Sequence, residues 1–259
     1  ILDNGDLKCW GSDSGGQLGD GGSNTMTNAP SSTAINLGTG RTAVAVATGQ
    51  DHTCAILDNG DVKCWGLDNY GQLGDGGSNA NTNAPSSTPV DLGTGRTAVA
   101  VVAASSMFTC AILDNGDLKC WGSDGYGYLG NGGSNTDLNA PSSTAIDLGT
   151  GRTAVAVRGF SHTCAILDNG DMKCWGSGSL GDGVTGNSNT PVAVSGSNTW
   201  DSTATATTWE THPALPAGMS ISGGTISGTP SVYALNQTYT IYANQSGYST
   251  THELYFSVD

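Results

Sequence analysis

The sequence predicts an all-β fold made of tandem units, and three observations predict it. Composition comes first: 40 of the 259 residues are glycine, while charged residues make up only 12%. Ser, Thr and Asn fill much of the rest, a mixture that suits short strands and tight turns and disfavours helices. Second, no segment carries a sustained apolar period of 3.6 residues. Third, the chain repeats itself: Ile-Leu-Asp-Asn-Gly-Asp begins at Ile1, Ile56, Ile112 and Ile166, at spacings of 55, 56 and 54 residues. A period of that size implies stacked supersecondary units.

Two more blocks keep the same period. Leu-Gly-Thr-Gly-Arg-Thr-Ala-Val-Ala-Val contains Arg41, Arg96 and Arg152, and Leu-Gly-(Asp/Asn)-Gly-Gly-Ser-Asn begins at Leu18, Leu73 and Leu129. Seven of the eight basic residues are repeat elements (Lys8, Lys63, Lys119, Lys173 and those three arginines), and Arg158 alone stands outside the pattern. The repeats are expected over residues 1–196. A second domain is expected over 197–259, where Cys, Lys and Arg vanish and Thr and Ser dominate.

Each repeat contains a hairpin. Thr53 to Leu57 and Asp61 to Trp65 are β-formers flanking Asp58-Asn59-Gly60, a three-residue turn in which Gly takes positive φ. With Leu57 opposite Asp61, Ile56 faces Val62, Ala55 faces Lys63 and Cys54 faces Cys64. Directly opposed positions of an antiparallel pair lie within disulfide reach. The same count pairs Cys110 with Cys120 and Cys164 with Cys174. Cys9 is the seventh cysteine, the second of the first copy; its partner is expected two residues before Ile1, so it is read as unpaired by truncation. Repeated disulfides imply an oxidising compartment, and the chain is expected to be extracellular or on a cell surface.

A unit of about 55 residues with a hairpin, a Thr-Ala-Val-Ala-Val strand and a Gly-rich turn fits a four-stranded propeller blade. Gly71-Gln72-Leu73-Gly74, Gly49-Gln50-Asp51-His52 and Ala55 to Gly66 resemble the RCC1 (regulator of chromosome condensation) repeat, over about residues 1–185. The resemblance implies a β-propeller, usually seven-bladed, of which about three and a half units are present. The cysteine pair departs from the nuclear members. Leu215 to Pro230, LPAGMSISGGTISGTP, is similar to the Ig-like module of microbial surface proteins and implies a small β-sandwich. Its hairpin turns at Gly223-Gly224, strands follow at 237–243 and 253–258, and a further strand is expected from residues 190–210.

Net charge is −14 with eight basic residues, so the basic face that a nucleic acid needs is missing and none is expected as partner. The longest apolar run, around Thr97 to Ala104, is too short to span a bilayer. Asp13 to Gly16 spells the Asp-Ser-Gly-Gly of a trypsin-like nucleophile loop, but its counterparts at Asp68 and Asp124 lack the serine, so it reads as a blade loop. His52 and His162 share a repeat position with Phe108, which marks a packing position rather than a metal or catalytic one. No Cys-x-x-Cys spacing points to zinc, and no metal or cofactor is expected. The Asp58/Asp61 turn and its counterparts have two readings, turn formation and calcium. Trp10, Trp65, Trp121 and Trp175 are repeat-equivalent and read as packing residues. Asn236 and Asn244 head Asn-x-Ser/Thr sequons, and chance occurrence explains them equally well.

Variation gathers in loops: residues 48–52, 103–108 and 158–162, and a second set of tips at Gly15, Tyr70 and Tyr126. Loop tips varying on a uniform scaffold suit recognition, and unconstrained drift gives the same pattern. The candidate binding residues are Gln50, Asp51, Tyr70, Met107, Phe108, Tyr126, Arg158 and Phe160. The function expected is non-enzymatic: adhesion or ligand binding, the partner being a protein, a glycan or copies of the chain itself. The alternatives are a structural subunit of a surface layer or filament and a secreted enzyme inhibitor. Nucleotide exchange, the activity best known for the family, is opposed by the disulfides and the acidity. No nucleophile–base pair is visible.

Overall fold

The computed structural model describes residues 1–195 throughout and, beyond them, the backbone of five strands. The chain forms two compact units, Ile1–Gly196 and Ser197–Asp259, and no helix occurs among the described residues. In the first unit β1 (Ala43–Thr48), β2 (His52–Leu57) and β3 (Val62–Gly66) make an antiparallel sheet in the order β1-β2-β3. The strands β4 (Ala98–Ala103), β5 (Phe108–Leu113) and β6 (Leu118–Gly122) repeat it one period later. The last copy holds β7 (Ala154–Gly159), β8 (His162–Leu167), β9 (Met172–Gly176) and β10 (Ser188–Ala193) in the order β10-β9-β8-β7.

The hairpin register is the one the turn chemistry predicts: Ile56 opposite Val62, Ala55 opposite Lys63, Cys54 opposite Cys64. Gly60 takes φ of 83°, and its N–H donates to the Leu57 carbonyl at 2.9 Å. Asn59 locks the turn through its Oδ1, which accepts from the Asp61 N–H, and its Nδ2, which donates to Asp61 Oδ2. A Cβ on Gly60 would also stand 2.5 Å from the Cβ of Thr97 in the next copy, so glycine is required twice over. Disulfides join Cys54 to Cys64, Cys110 to Cys120 and Cys164 to Cys174, and Cys9 is free.

One expectation needs correcting. The four-stranded blade is complete only in the last copy, and the other edge segments touch their sheets at isolated points. Gly66 bridges Thr82, and the Val90 N–H donates to the Val62 carbonyl at 2.8 Å. Between these points each segment carries a proline (Pro30, Pro85, Pro141) among Ser and Thr, and proline has no N–H for a ladder. In the last copy the segment is shorter and pairs as β10, with a register shift between Ser188 and Val192 around Pro191.

The apolar cores lie between copies. Trp65 packs with Leu7, Ile35 and Leu37 of the first copy and with Ala43 at the start of β1. Trp121 does so with Leu73, Val90, Leu92 and Ala98, and Trp175 with Leu129, Ile146, Leu148 and Ala154. These three indoles are fully buried, whereas Trp10 is 58% exposed.

In the second unit β11 (Thr208–His212), β14 (Ala234–Gln245) and β15 (Tyr248–Val258) form a sheet with β14 central. A separate hairpin joins β12 (Met219–Ser222) to β13 (Thr225–Gly228), with Ser222 opposite Thr225. β14 and β15 extend beyond the two strands expected at 237–243 and 253–258. Asn236 and Asn244 both lie on β14, where Asn244 pairs with Thr208 and Ser249. The junction at 196–207 and the Gly223-Gly224 turn lie outside the described residues.

Candidate recognition surface

The two sets of variable loops meet at the same end of each sheet. The Leu67 N–H donates to the Asp51 carbonyl at 2.8 Å, which ties the segment after Trp65 to the β1–β2 loop. Ser123 with Met107, and Ser177 with Ser161, do the same in the next copies. Neighbouring copies also touch there. Gln17 Nε2 donates to Asp51 Oδ1 at 3.3 Å, and Gln72 Nε2 reaches Met107 Sδ at 3.6 Å. Within the third copy Tyr128 stacks on Phe108, with ring centroids 5.4 Å apart, and Tyr126 meets Tyr128 edge-on at 5.8 Å.

Of the candidate residues, Gln50, Tyr70, Tyr126, Arg158 and Phe160 are exposed, and Asp51 and Met107 are half-buried. Tyr126 and Phe160 expose 53% and 66% of their surface. Phe108 does not belong among them. It is fully buried beneath Tyr128 of its own copy and shares a core with Val157, Ala165 and Trp175 of the fourth, so its apolar ring serves packing rather than a ligand. Met107 takes φ of 61°, which bends the β4–β5 loop into the tip of the third copy.

The scaffold beneath is held by groups that local sequence does not reveal. The Gln17 carbonyl accepts from both Thr53 Oγ1 and Trp65 Nε1, at 2.8 and 3.0 Å. The Gln72 carbonyl takes Thr109 and Trp121 in the same way, and the Tyr128 carbonyl takes Thr163 and Trp175. Asp13, Asp68 and Asp124 are buried, and each accepts from the N–H of the leucine five residues on. The second oxygens of Asp68 and Asp124 have no partner. Burial raises all three carboxyl pKa values, that of Asp68 to about 6.

His52 is buried, with Nε2 3.0 Å from Thr109 Oγ1. That hydroxyl gives its proton to the Gln72 carbonyl, so it accepts from His52, which therefore carries its proton on Nε2. Nδ1 is left buried and unpartnered, and burial lowers the imidazole pKa to about 4. The packing reading of this position becomes a hydrogen-bonded junction. Burial also raises the pKa of the Cys9 thiol, which keeps it protonated at neutral pH and poor as a nucleophile.

At the opposite end of the sheets the turn carboxylates are engaged with the protein. Asp58 Oδ2 pairs with Arg41 at 3.3 Å while its Oδ1 accepts from the Thr42 N–H. Asp114 with Arg96 and Asp168 with Arg152 repeat the pair. Among the described residues no group of three or more His, Cys, Asp or Glu is placed to hold a metal ion.

Two family models, both described as "Regulator of chromosome condensation (RCC1) repeat", match these units. One covers residues 43–72, 99–127 and 153–182, the other 4–56 and 59–112. The chain belongs to the RCC1 repeat family. A model described as "Putative Ig domain" matches residues 180–259, and so overlaps the segment that forms β10.

Among RCC1-repeat relatives, the human E3 ubiquitin-protein ligase HERC2 is 30% identical over 200 residues, covering 76% of this chain and 4% of HERC2. The Arabidopsis thaliana ultraviolet-B receptor UVR8 is 29% identical over 188 residues, covering 71% of this chain and 40% of the receptor. Human WBSCR16 superposes with a TM-score of 0.65 at 23% identity, over 76% of this chain and 50% of that one. Yeast RCC1 (Prp20), solved with Kap60 bound, gives 0.62 at 20% identity, over 78% and 47%. At such identities the likeness is one of fold, the RCC1 β-propeller. The chain spans less than half the length of these curated relatives and about half of the solved propellers.

Proposed function

We propose that the chain is a non-enzymatic adhesion or ligand-binding protein of an extracellular or cell-surface setting, and that it grips a protein partner with its loop-tip face. The observation that carries this is the set of exposed aromatics, Tyr70, Tyr126 and Phe160, on loops that vary while the sheets below repeat. Exposed aromatic rings supply large contact area at low entropic cost, which is why interfaces are enriched in them. Three cross-strand disulfides support the oxidising setting, and no helix among the described residues is long and apolar enough to cross a membrane. A protein rather than a glycan partner is favoured because the yeast propeller of this fold is solved with a protein bound.

The test is to screen the intact chain on protein and glycan arrays and repeat each hit with Tyr70→Ala, Tyr126→Ala and Phe160→Ala combined. A protein hit weakened at least tenfold by the triple variant is expected. Hits on glycans alone, or protein hits that the variant leaves unchanged, would overturn the reading.

A further inference from the structure

The edge segment of the fourth copy is shorter than its counterparts. In the first three copies four residues separate the proline from the residue that makes the edge bond: Ser31 to Ala34, Ser86 to Pro89 and Ser142 to Ala145. In the fourth only Val192 and Ala193 do so, and the Ser-Ser-Thr stretch is gone. The first copy shows what that stretch can do. There Lys8 Nζ donates to the Ser32 carbonyl at 3.2 Å.

The hairpin lysines of the later copies share one place. Nζ of Lys63, Lys119 and Lys173 each stands 3.5 Å from a Cβ built on Gly38, Gly93 and Gly149. Lys63 and Lys119 are buried, and Lys119 Nζ donates to the Leu92 carbonyl at 3.0 Å. Lys173 is half-buried; among the described residues it donates no hydrogen bond and pairs with no carboxylate.

A cavity of about 400 Å³ lies beside it, between the third copy and the fourth. Leu129 and Ile146, both buried, give it an apolar wall, Ser142 lends a hydroxyl, and Pro191 lines it from the fourth copy. Two opposite charges also line it, the Lys173 ammonium and the Asp147 carboxylate. The Gly149 N–H donates to Asp147 Oδ1 at 2.8 Å, and Gly149 is the glycine against which Lys173 Nζ stands. The two charges are therefore neighbours, yet they form no ion pair. None of Tyr70, Tyr126 and Phe160 lines this cavity. Its size and its make-up, an apolar wall with a few placed polar groups, are those of a small-molecule site.

We propose that this cavity binds a free apolar α-amino acid. The ligand's carboxylate accepts from Lys173, its ammonium donates to Asp147, and its side chain rests on Leu129 and Ile146. A zwitterion answers both charges at once. A simple carboxylate leaves Asp147 without a partner and a simple amine leaves Lys173 without one, and a site built to pair a polar group rejects the analogue that lacks it.

Equilibrium dialysis of the intact chain against L-alanine, L-leucine and L-phenylalanine tests this. At least one should be retained at one site per chain, at least tenfold more tightly than its own deaminated acid or decarboxylated amine. Lys173→Gln should weaken that binding at least fivefold. So should Asp147→Asn, which keeps an acceptor for the Gly149 N–H. The comparison of amino acid, acid and amine uses the unaltered chain, so it stands whether or not a variant folds. Retention of none of the three at millimolar concentration, equal binding of the acid or the amine, or binding that survives either variant would each overturn the site.

Discussion

The hairpins of the second and fourth copies differ at one residue, Val62 against Met172, and yet they are buried differently. Every residue of β2 is buried, while β8 alternates between buried positions and partly or fully exposed ones. Ile56 is 2% exposed and Ile166 39%. Sequence, register and disulfide are shared, so what separates them is the neighbour. The second hairpin is covered by residues of the third copy, Ala111 and Leu113 among them, and joins one core with them. The fourth hairpin has a copy on one side only. Stability in this unit is a property of junctions, as expected of an array in which each repeat completes the core of the one before.

The sharpest way to break that comparison is to remove an indole. Trp121→Ala should cost about 3–5 kcal/mol, because it empties the core between the second and third copies, whereas the exposed Trp10→Ala should stay within about 0.5 kcal/mol. Urea unfolding of both variants measures the contrast. Next, Ile56→Ala should cost about 3 kcal/mol and Ile166→Ala about 1, although the two residues occupy the same hairpin position. Equal losses would mean that the neighbouring copy contributes nothing to the burial.

Two titrations sharpen it further, and they run in opposite directions. The pKa of His52 in the folded chain lies below the ordinary imidazole value. Its contribution is therefore fully present above about pH 6.5 and is lost as pH falls towards 4. His52→Phe, which gives the second copy the ring of the third, should remove about 2–3 kcal/mol of acid sensitivity in that window. The pKa of Asp68 is raised to about 6, so its contribution is present below about pH 4 and is lost as pH rises through 6. Asp68→Asn keeps an acceptor for the Leu73 N–H and should recover about 1–2 kcal/mol at pH 7 and little at pH 4. Over pH 4–6 the two groups partly offset each other, so thermal unfolding of the unaltered chain should be flatter with pH than that of either variant.

What could be read in the sequence follows the same division between local and junctional contacts. The hairpin, its register and its three bridges are local: a three-residue turn fixes the pairing, and the pairing fixes which cysteines meet. The junctions leave no such trace. Thr53 and Gln17 are 36 residues apart and bond through a main-chain oxygen, so no pattern of side chains announces them. The aspartates at 13, 68 and 124 are legible as one repeat-equivalent blade loop, but their burial and their bond to the leucine N–H come from the folded loop and leave no mark in the sequence. Phe108 is misplaced because loop variation is read as exposure, whereas the ring is buried and Tyr128 stacks on it. The reduced fourth strand was legible in hindsight, since proline sits in the middle of each edge segment.

The double acceptor at residues 17, 72 and 128 has a consequence for engineering. Each junction is fastened by that residue's carbonyl, and a carbonyl is common to all amino acids, so the threonine and tryptophan donors do not dictate which side chain stands there. The chain uses Gln, Gln and Tyr, all three buried: the two glutamines accept from the N–H of Gly15 and Tyr70, and Tyr128 stacks on Phe108. A combinatorial library at these sites, with the threonine and tryptophan donors left alone, should return folded variants wherever the new side chain fills the same buried space. The rim would then be reprogrammable one junction at a time.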